Sequence, residues 1–190
     1  VSAAMLDIAA RRLETEGLAA ELICAPMQAL DLSWTFDLAL IPARAFQHLI
    51  EPVDQRETLV RIHRHLNPGG LLVLDLFDPA LEVCVGTPAD SPPREAVDPV
   101  SGRRFRRSCL GRMTDPFRQI TGERLLIEEL DGEGAVLARQ ETSWMLRWSM
   151  RQEMAYLLEL TGFEVVAQYS DFARSPPAYG REQVWVARRP

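Results

Sequence analysis

Apolar residues change rhythm several times along this chain, and each change marks an element. Met5, Ala9 and Leu13 recur at helical spacing behind Ser2, which can act as an N-cap, and Gly17 supplies a stop. "AELICAPM" (20–27) is a short continuous apolar run broken at Pro26, and "FDLALIPA" (36–43) is a second. Both read as buried strands. After a loop, "RAFQHLIEP", Leu59, Ile62 and Leu66 return to helical spacing, and Asp54 with Glu57 resembles a capping box, so a helix is predicted near 54–66. Pro68, Gly69 and Gly70 end it, and "LLVLDLF" follows as a third apolar strand finishing on Asp75, Phe77 and Asp78. Strands apolar on both faces and alternating with helices imply a parallel sheet covered on both sides. In open sheets of that kind, ligands bind at the carboxyl ends of the strands.

The middle of the chain has a different pattern. Residues 86–99, "GTPADSPPREAVDP", are rich in proline and small polar residues and read as a loop. Three long strand-like runs follow, "RRFRRSCLGRM", "RQITGERLLIEEL" and "AVLARQETSWMLRW", separated by "DPF" and "DGEGA". They predict an antiparallel β-meander inserted into the α/β unit. Trp144, Leu146 and Trp148 alternate on one face and give the meander something to bury. "SMRQEMAYLLELTGF" restores a helix, with Ser149 and Gln152 in capping-box positions and Gly162 at the stop. "EVVAQY" and "QVWVARR" close the chain as two antiparallel strands. The expected organisation is therefore an α/β core over 1–85 and 149–190, with a loop and meander over 86–148.

Composition narrows the classes. The 190 residues carry a formal charge of −6, which argues against a general nucleic-acid binder, and no run is long enough to cross a bilayer. Cys24, Cys84 and Cys109 are odd in number and unevenly spaced, and Cys24 lies in an apolar run. A reduced, buried thiol in a cytoplasmic protein is expected. His63 and His65 lie two apart on a helix and point away from each other, so a zinc site is not expected.

Several of these segments, taken in order, resemble the class I S-adenosylmethionine-dependent methyltransferases. "VSAAMLDIAARRL" looks like the segment after that family's strand 2. "FDLALIPARAFQHL" resembles strand 4 with its loop, and "LVRIHRHLNPGGLLVLDLFDP" is close to the helix, turn and strand 5 signature. "MRQEMAYLLELTGFEVV" resembles the last helix and strand 6. The resemblance implies a Rossmann-like methyltransferase sheet, partial at the N-terminus, with the meander inserted. The family's glycine-rich loop, and the acid that ends strand 2, would lie upstream of Val1. An incomplete view of a longer enzyme is the expectation, and this chain by itself would bind the cofactor poorly.

The same resemblance assigns candidate sites. Cofactor contact falls to Val1 and Ser2, to Pro26, Met27 and Gln28 after strand 3, and to Ile41, Pro42 and Ala43 after strand 4. Pro26 stands where the family commonly carries an acid for the adenine amino group, which leaves the Met27 backbone N–H and apolar packing to hold that ring. "IPAR" lacks the N/D-P-P-Y/F pattern of nucleic-acid and amide methyltransferases, so a small-molecule acceptor is implied. Methyl transfer from a sulfonium is a direct displacement that needs alignment and, for some acceptors, a base. His48 is the candidate base, its alternative a helix-start histidine hydrogen-bonded to backbone, and Arg44, Phe46, Asp75 and Phe77 are candidate substrate residues. For Asp75 the alternative is a carboxylate satisfied by loop N–H groups, and for Phe46 a ring that staples the loop to the core. Arg103, Arg104, Arg106 and Arg107 around Phe105 could receive an acidic substrate or a phosphate, but the overall acidity of the chain favours the solvated face of an antiparallel strand. The meander suits either a lid or the contact of a homodimer. Two readings stand: a methyltransferase acting on a small molecule, and a non-catalytic methyltransferase-like module that associates through its meander.

Overall fold

The computed structural model describes residues 2–85 and 92–190, so the part of the expected loop at 86–91, like Val1, lies outside the described residues. Two four-stranded sheets organise the chain. The first has the order β1 (Phe36–Ile41), β2 (Leu66–Phe77), β8 (Glu182–Arg188) and β7 (Glu164–Tyr169). Strand β1 runs parallel to β2, while β8 is antiparallel to both β2 and β7. The second sheet is an antiparallel meander, β3 (Arg94–Val97), β4 (Arg104–Asp115), β5 (Ile120–Leu130) and β6 (Val136–Arg147). The helices are α1 (Ala3–Thr15), α2 (Pro52–His65), the short α3 (Leu81–Cys84) and α4 (Arg151–Leu160).

The core lies on one face of the first sheet. Alternation along β2 turns Leu72, Leu74 and Leu76 to that face, where Leu59 and Ile62 of α2, Met154 and Leu158 of α4, and Phe46 pack with them. The opposite face differs from the expected double coverage. Leu38 and Leu40 of β1 are exposed there, and the outer edge of β1 pairs with no strand among the described residues. Helix α1 forms as the sequence predicts, with the Ser2 hydroxyl accepting from the Met5 N–H at 3.3 Å, but it has no buried residue. Local capping is enough to specify the helix, whereas burial of its apolar face needs a neighbour.

Other expectations are corrected in the same physical terms. "AELICAPM" forms no strand: it is irregular up to a 3-10 turn at Met27–Ala29, and Leu22, Ile23 and Cys24 are exposed. A strand needs a ladder partner, and none stands beside this run among the described residues. The buried thiol is Cys84 rather than Cys24. Within the expected loop, Arg94–Val97 pairs with β4 as strand β3, Glu95 reaching both Arg104 and Arg106.

Helix α2 starts earlier than expected, with Glu51 as N-cap and Pro52 in its first turn, where a missing N–H is harmless. It ends at His65, and Pro68–Gly70 lie inside the irregular first half of β2. There Gly69 takes φ +82°, and its N–H donates to Arg189 O at 2.8 Å. Helix α4 is capped by Glu153, which accepts from the Met150 N–H at 2.7 Å, one residue beyond the expected Ser149/Gln152 pair. Leu146 and Trp148 are buried, and Trp144 is half-buried.

Candidate functional site

Because β1 and β2 are parallel, their carboxyl ends emerge at the same end of the sheet. Strand β1 leads into Pro42, Ala43 and Arg44, and the last two adopt the left-handed region, φ +59° and +58°. Non-glycine residues rarely stay there unless their surroundings hold them. The holding group is Asp75 near the end of β2, whose carboxylate accepts the Arg44 N–H at 3.1 Å. Asp75 is only 4% exposed. Burial pushes its carboxyl above the ordinary range, opposed by the Arg44 and Ala43 N–H groups and the Arg44 charge, and reinforced by the Glu182 charge. The Arg44 guanidinium lies 5.7 Å from the centre of the Phe77 ring and pairs with Glu182, which stands opposite Phe77 in the β2–β8 register. Arg44, Asp75 and Phe77 are thus brought into one cluster.

The turn continues into a 3-10 segment, Ala45–His48. Phe46 is 0% exposed and sits wholly within the core cluster, so its ring fastens this loop to the sheet. The neighbouring Gln47 is also buried. Its Oε1 accepts the Phe77 N–H at 3.0 Å, while its Nε2 finds no partner among the described residues. His48 is exposed, with Nδ1 3.2 Å from the carbonyl oxygen of Met145 on β6. A carbonyl only accepts, so this contact is a hydrogen bond in the tautomer that carries its proton on Nδ1 and leaves the lone pair on Nε2.

A second feature lies along β1. Met27, Leu30, Ile41, Pro42, Ile62 and His65 help to line an open apolar cavity of about 420 Å³. Three of the sequence-predicted cofactor residues, Met27, Ile41 and Pro42, meet there. Ser2, Pro26, Gln28 and Ala43 do not line it, and Val1 is outside the described residues. The cavity runs along β1 from Phe36 to Pro42, on the edge that pairs with no strand among the described residues. None of the described residues lining it is acidic, so ribose hydroxyls would find no carboxylate there.

Sequence reasoning missed Gln47, Glu182 and the Met145 carbonyl. Glu182 shows only as an acid at the start of the last strand, and its place opposite Phe77 is a matter of register. A backbone carbonyl leaves no mark in a sequence. The arginine run that leads into β4 is tied down: Arg103 pairs with Glu129, Arg104 and Arg106 with Glu95, and Arg107 with Glu123. Among the described residues no cluster of three metal-ligating side chains occurs, and no helix is long and apolar enough to cross a membrane.

This sheet, with its cluster at the strand ends, defines a Rossmann-like methyltransferase fold carrying an antiparallel meander. Residues 1–70 match the family model described as a methyltransferase domain. Among solved structures, an S-adenosylmethionine-dependent methyltransferase from Clostridium acetobutylicum superposes with a TM-score of 0.79 at 14% identity, covering 98% of this chain and 72% of that one. An amino pentose methyltransferase of calicheamicin biosynthesis from Micromonospora echinaspora gives a TM-score of 0.67 at 23% identity, over 100% of this chain and 72% of the other. A glycopeptide N-methyltransferase solved with S-adenosylhomocysteine gives 0.59 at 20%, over 100% and 70%. At these identities the likeness is one of fold. No curated protein matches the sequence.

Proposed function

We propose that this protein transfers a methyl group from S-adenosylmethionine to a small-molecule acceptor, with His48 taking the acceptor's proton at Nε2. The observation that carries this reading is the hydrogen bond from His48 Nδ1–H to the Met145 carbonyl, which leaves Nε2 as the basic nitrogen of a ring exposed in the loop after β1. When bound, S-adenosylmethionine supplies a methyl group on a sulfonium that a nucleophile displaces directly. Met27, Ile41 and Pro42 would wall the adenine ring, with Pro26, Gln28, Ala43 and the segment Val1–Ser2 completing that side. Arg44, Asp75 and Phe77 would line the acceptor side, Asp75 chiefly by holding the Ala43–Arg44 turn. Phe46 contributes from beneath by fixing the loop that carries His48.

Acceptors reported in the names of the fold relatives are an amino pentose and a glycopeptide nitrogen, so amine-bearing sugars and glycosides form the first panel to try. The free cysteines fit a cytoplasmic setting. The test is calorimetric titration with S-adenosylhomocysteine, followed by methyl transfer to that panel. His48→Gln is expected to lower turnover about 100-fold or more with cofactor affinity unchanged. Failure of the full-length protein to bind S-adenosylhomocysteine would sink this reading and favour a non-catalytic module that associates through its meander.

A further inference from the structure

The meander touches the loop of His48 through its edge strand β6, and Gly122 sits directly behind that contact. Gly122 of β5 stands opposite Met145 in the register of β5 and β6. A Cβ at position 122 would lie 2.6 Å from the Trp144 carbonyl oxygen, 3.0 Å from Met145 Cγ and 3.5 Å from Met145 Cα. The first of these is backbone and cannot swing aside. Glycine is therefore what lets β6 pass close to β5 at Trp144–Met145, the segment whose carbonyl receives His48. One further link holds the end of β6 near this loop: Arg147 donates to Ile50 O at 3.4 Å.

We propose that β6 is the positioning element for His48: the Met145 carbonyl, seated by Gly122, fixes the Nδ1–H tautomer and leaves Nε2 free to accept a proton. The functional meaning of this tautomer rests on the base role given above, but the tautomer itself is measurable without any acceptor. Met145 and Gly122 act through His48 and touch no reacting atom.

Histidine side-chain ¹⁵N spectra of the intact protein, at mildly alkaline pH where a model imidazole is neutral, read this directly. The His48 signals are assigned by their loss in His48→Gln. His65 serves as an internal reference, because its Nδ1 lies 2.7 Å from Arg61 O and its Nε2 accepts the Leu32 N–H at 2.8 Å, far from the meander. Wild-type protein should show His48 as Nδ1–H, and Gly122→Ala should move it toward Nε2–H while His65 is unchanged. Gly111→Ala, where an added Cβ meets nothing within 4 Å, should leave both rings as they were.

If an acceptor is in hand, Gly122→Ala should lower turnover about tenfold or more with little change in acceptor KM. A wild-type His48 found as Nε2–H overturns the proposal, and that spectrum decides the matter even if Gly122→Ala fails to fold. So does a Gly122→Ala protein whose His65 signals are intact and whose His48 is unmoved. Expected tautomers without methyl transfer to any acceptor would support the positioning and count against the enzyme reading alone.

Discussion

Strand β2 of the α/β sheet presents Leu72, Leu74 and Leu76 to its buried face, all essentially inaccessible. The central strand of the meander, β5, buries Glu123 and Glu128. Glu123 receives Arg107 and Arg112 from β4, while Glu128 receives Arg106 from β4 and Arg139 from β6. The first sheet is thus fastened by apolar packing from helices. The second adds, to buried Ile120, Leu125, Leu130 and Leu146, cross-strand charge pairs whose Glu123 and Glu128 carboxylates are buried and whose guanidinium groups reach solvent. Apolar burial gives strength without direction, whereas a carboxylate between two arginines ties particular residues of neighbouring strands together and so fixes register. That suits a sheet whose edge strand must deliver one carbonyl to one histidine.

The comparison breaks most sharply at Phe46. If its ring is core, Phe46→Ala should lower the stability of the α/β unit by about 3–5 kcal/mol, read from urea unfolding, because the site is fully enclosed. Loss of methyl transfer with the urea midpoint unchanged would instead make it a pocket residue. The matching truncation on the meander, Leu137→Ala, removes an exposed side chain and should change stability by less than about 0.5 kcal/mol.

A smaller, more local effect is expected at Glu123→Gln, which leaves Arg107 and Arg112 without their shared counter-charge. The carboxylate is 8% exposed, but the arginines are 41% and 29% exposed, so solvent recovers part of the loss. The expectation is about 1–3 kcal/mol, seen as faster amide exchange across β4, β5 and β6 with the core amides of β2 and β8 little changed. Uniform acceleration in both sheets would show that the two unfold as one unit.

These two regions also differ in how far they could be read in advance. The apolar run at 71–77 fixed β2's core segment, and the three long runs between 103 and 148 gave the meander, because period and turn residues act locally. Strand β3 escaped because prolines dominate its neighbourhood, while its pairing depends on Glu95 meeting Arg104 and Arg106, which are 9 and 11 residues further along the chain. The run 20–27 reads as a strand by composition, yet strand formation is a property of two segments, and one was judged alone. At the site, the end of β2 was legible through Asp75 and Phe77. The clasp of Asp75 on a left-handed Ala43–Arg44 turn, and the seat of His48 on Met145, are backbone events without a residue-type signature.

The smallest effect concerns acid, and it separates the regions by where each begins to titrate. His63 of α2 stacks edge-on against Phe163 at 5.1 Å, and its Nε2 would lie 3.1 Å from a Cβ at Gly162. Burial chiefly, and then the Arg189 charge, hold its pKa below the ordinary histidine value, with a Gly162 backbone hydrogen bond acting in the opposite direction. The unfolded chain therefore binds this proton more readily than the native one. The His63 contribution is present above about pH 6.5, the ordinary value, and is lost as pH falls below it toward the native pKa.

The meander contains no histidine. Its Glu95 and Glu129 carboxyls are held below the ordinary glutamate range, Glu95 by hydrogen bonds from Arg106 and Arg104 and Glu129 by one from Arg103. Their contributions are present above the ordinary glutamate value and fade only as pH falls below about 4.3 toward the lowered native pKa values. Between pH 7 and 5.5 the urea midpoint reported by core amides should fall slightly, while the meander's exchange pattern holds. His63→Phe, which keeps a ring against Phe163 but takes up no proton, should flatten the core's dependence. A slope equally steep in that variant would remove His63 as its source.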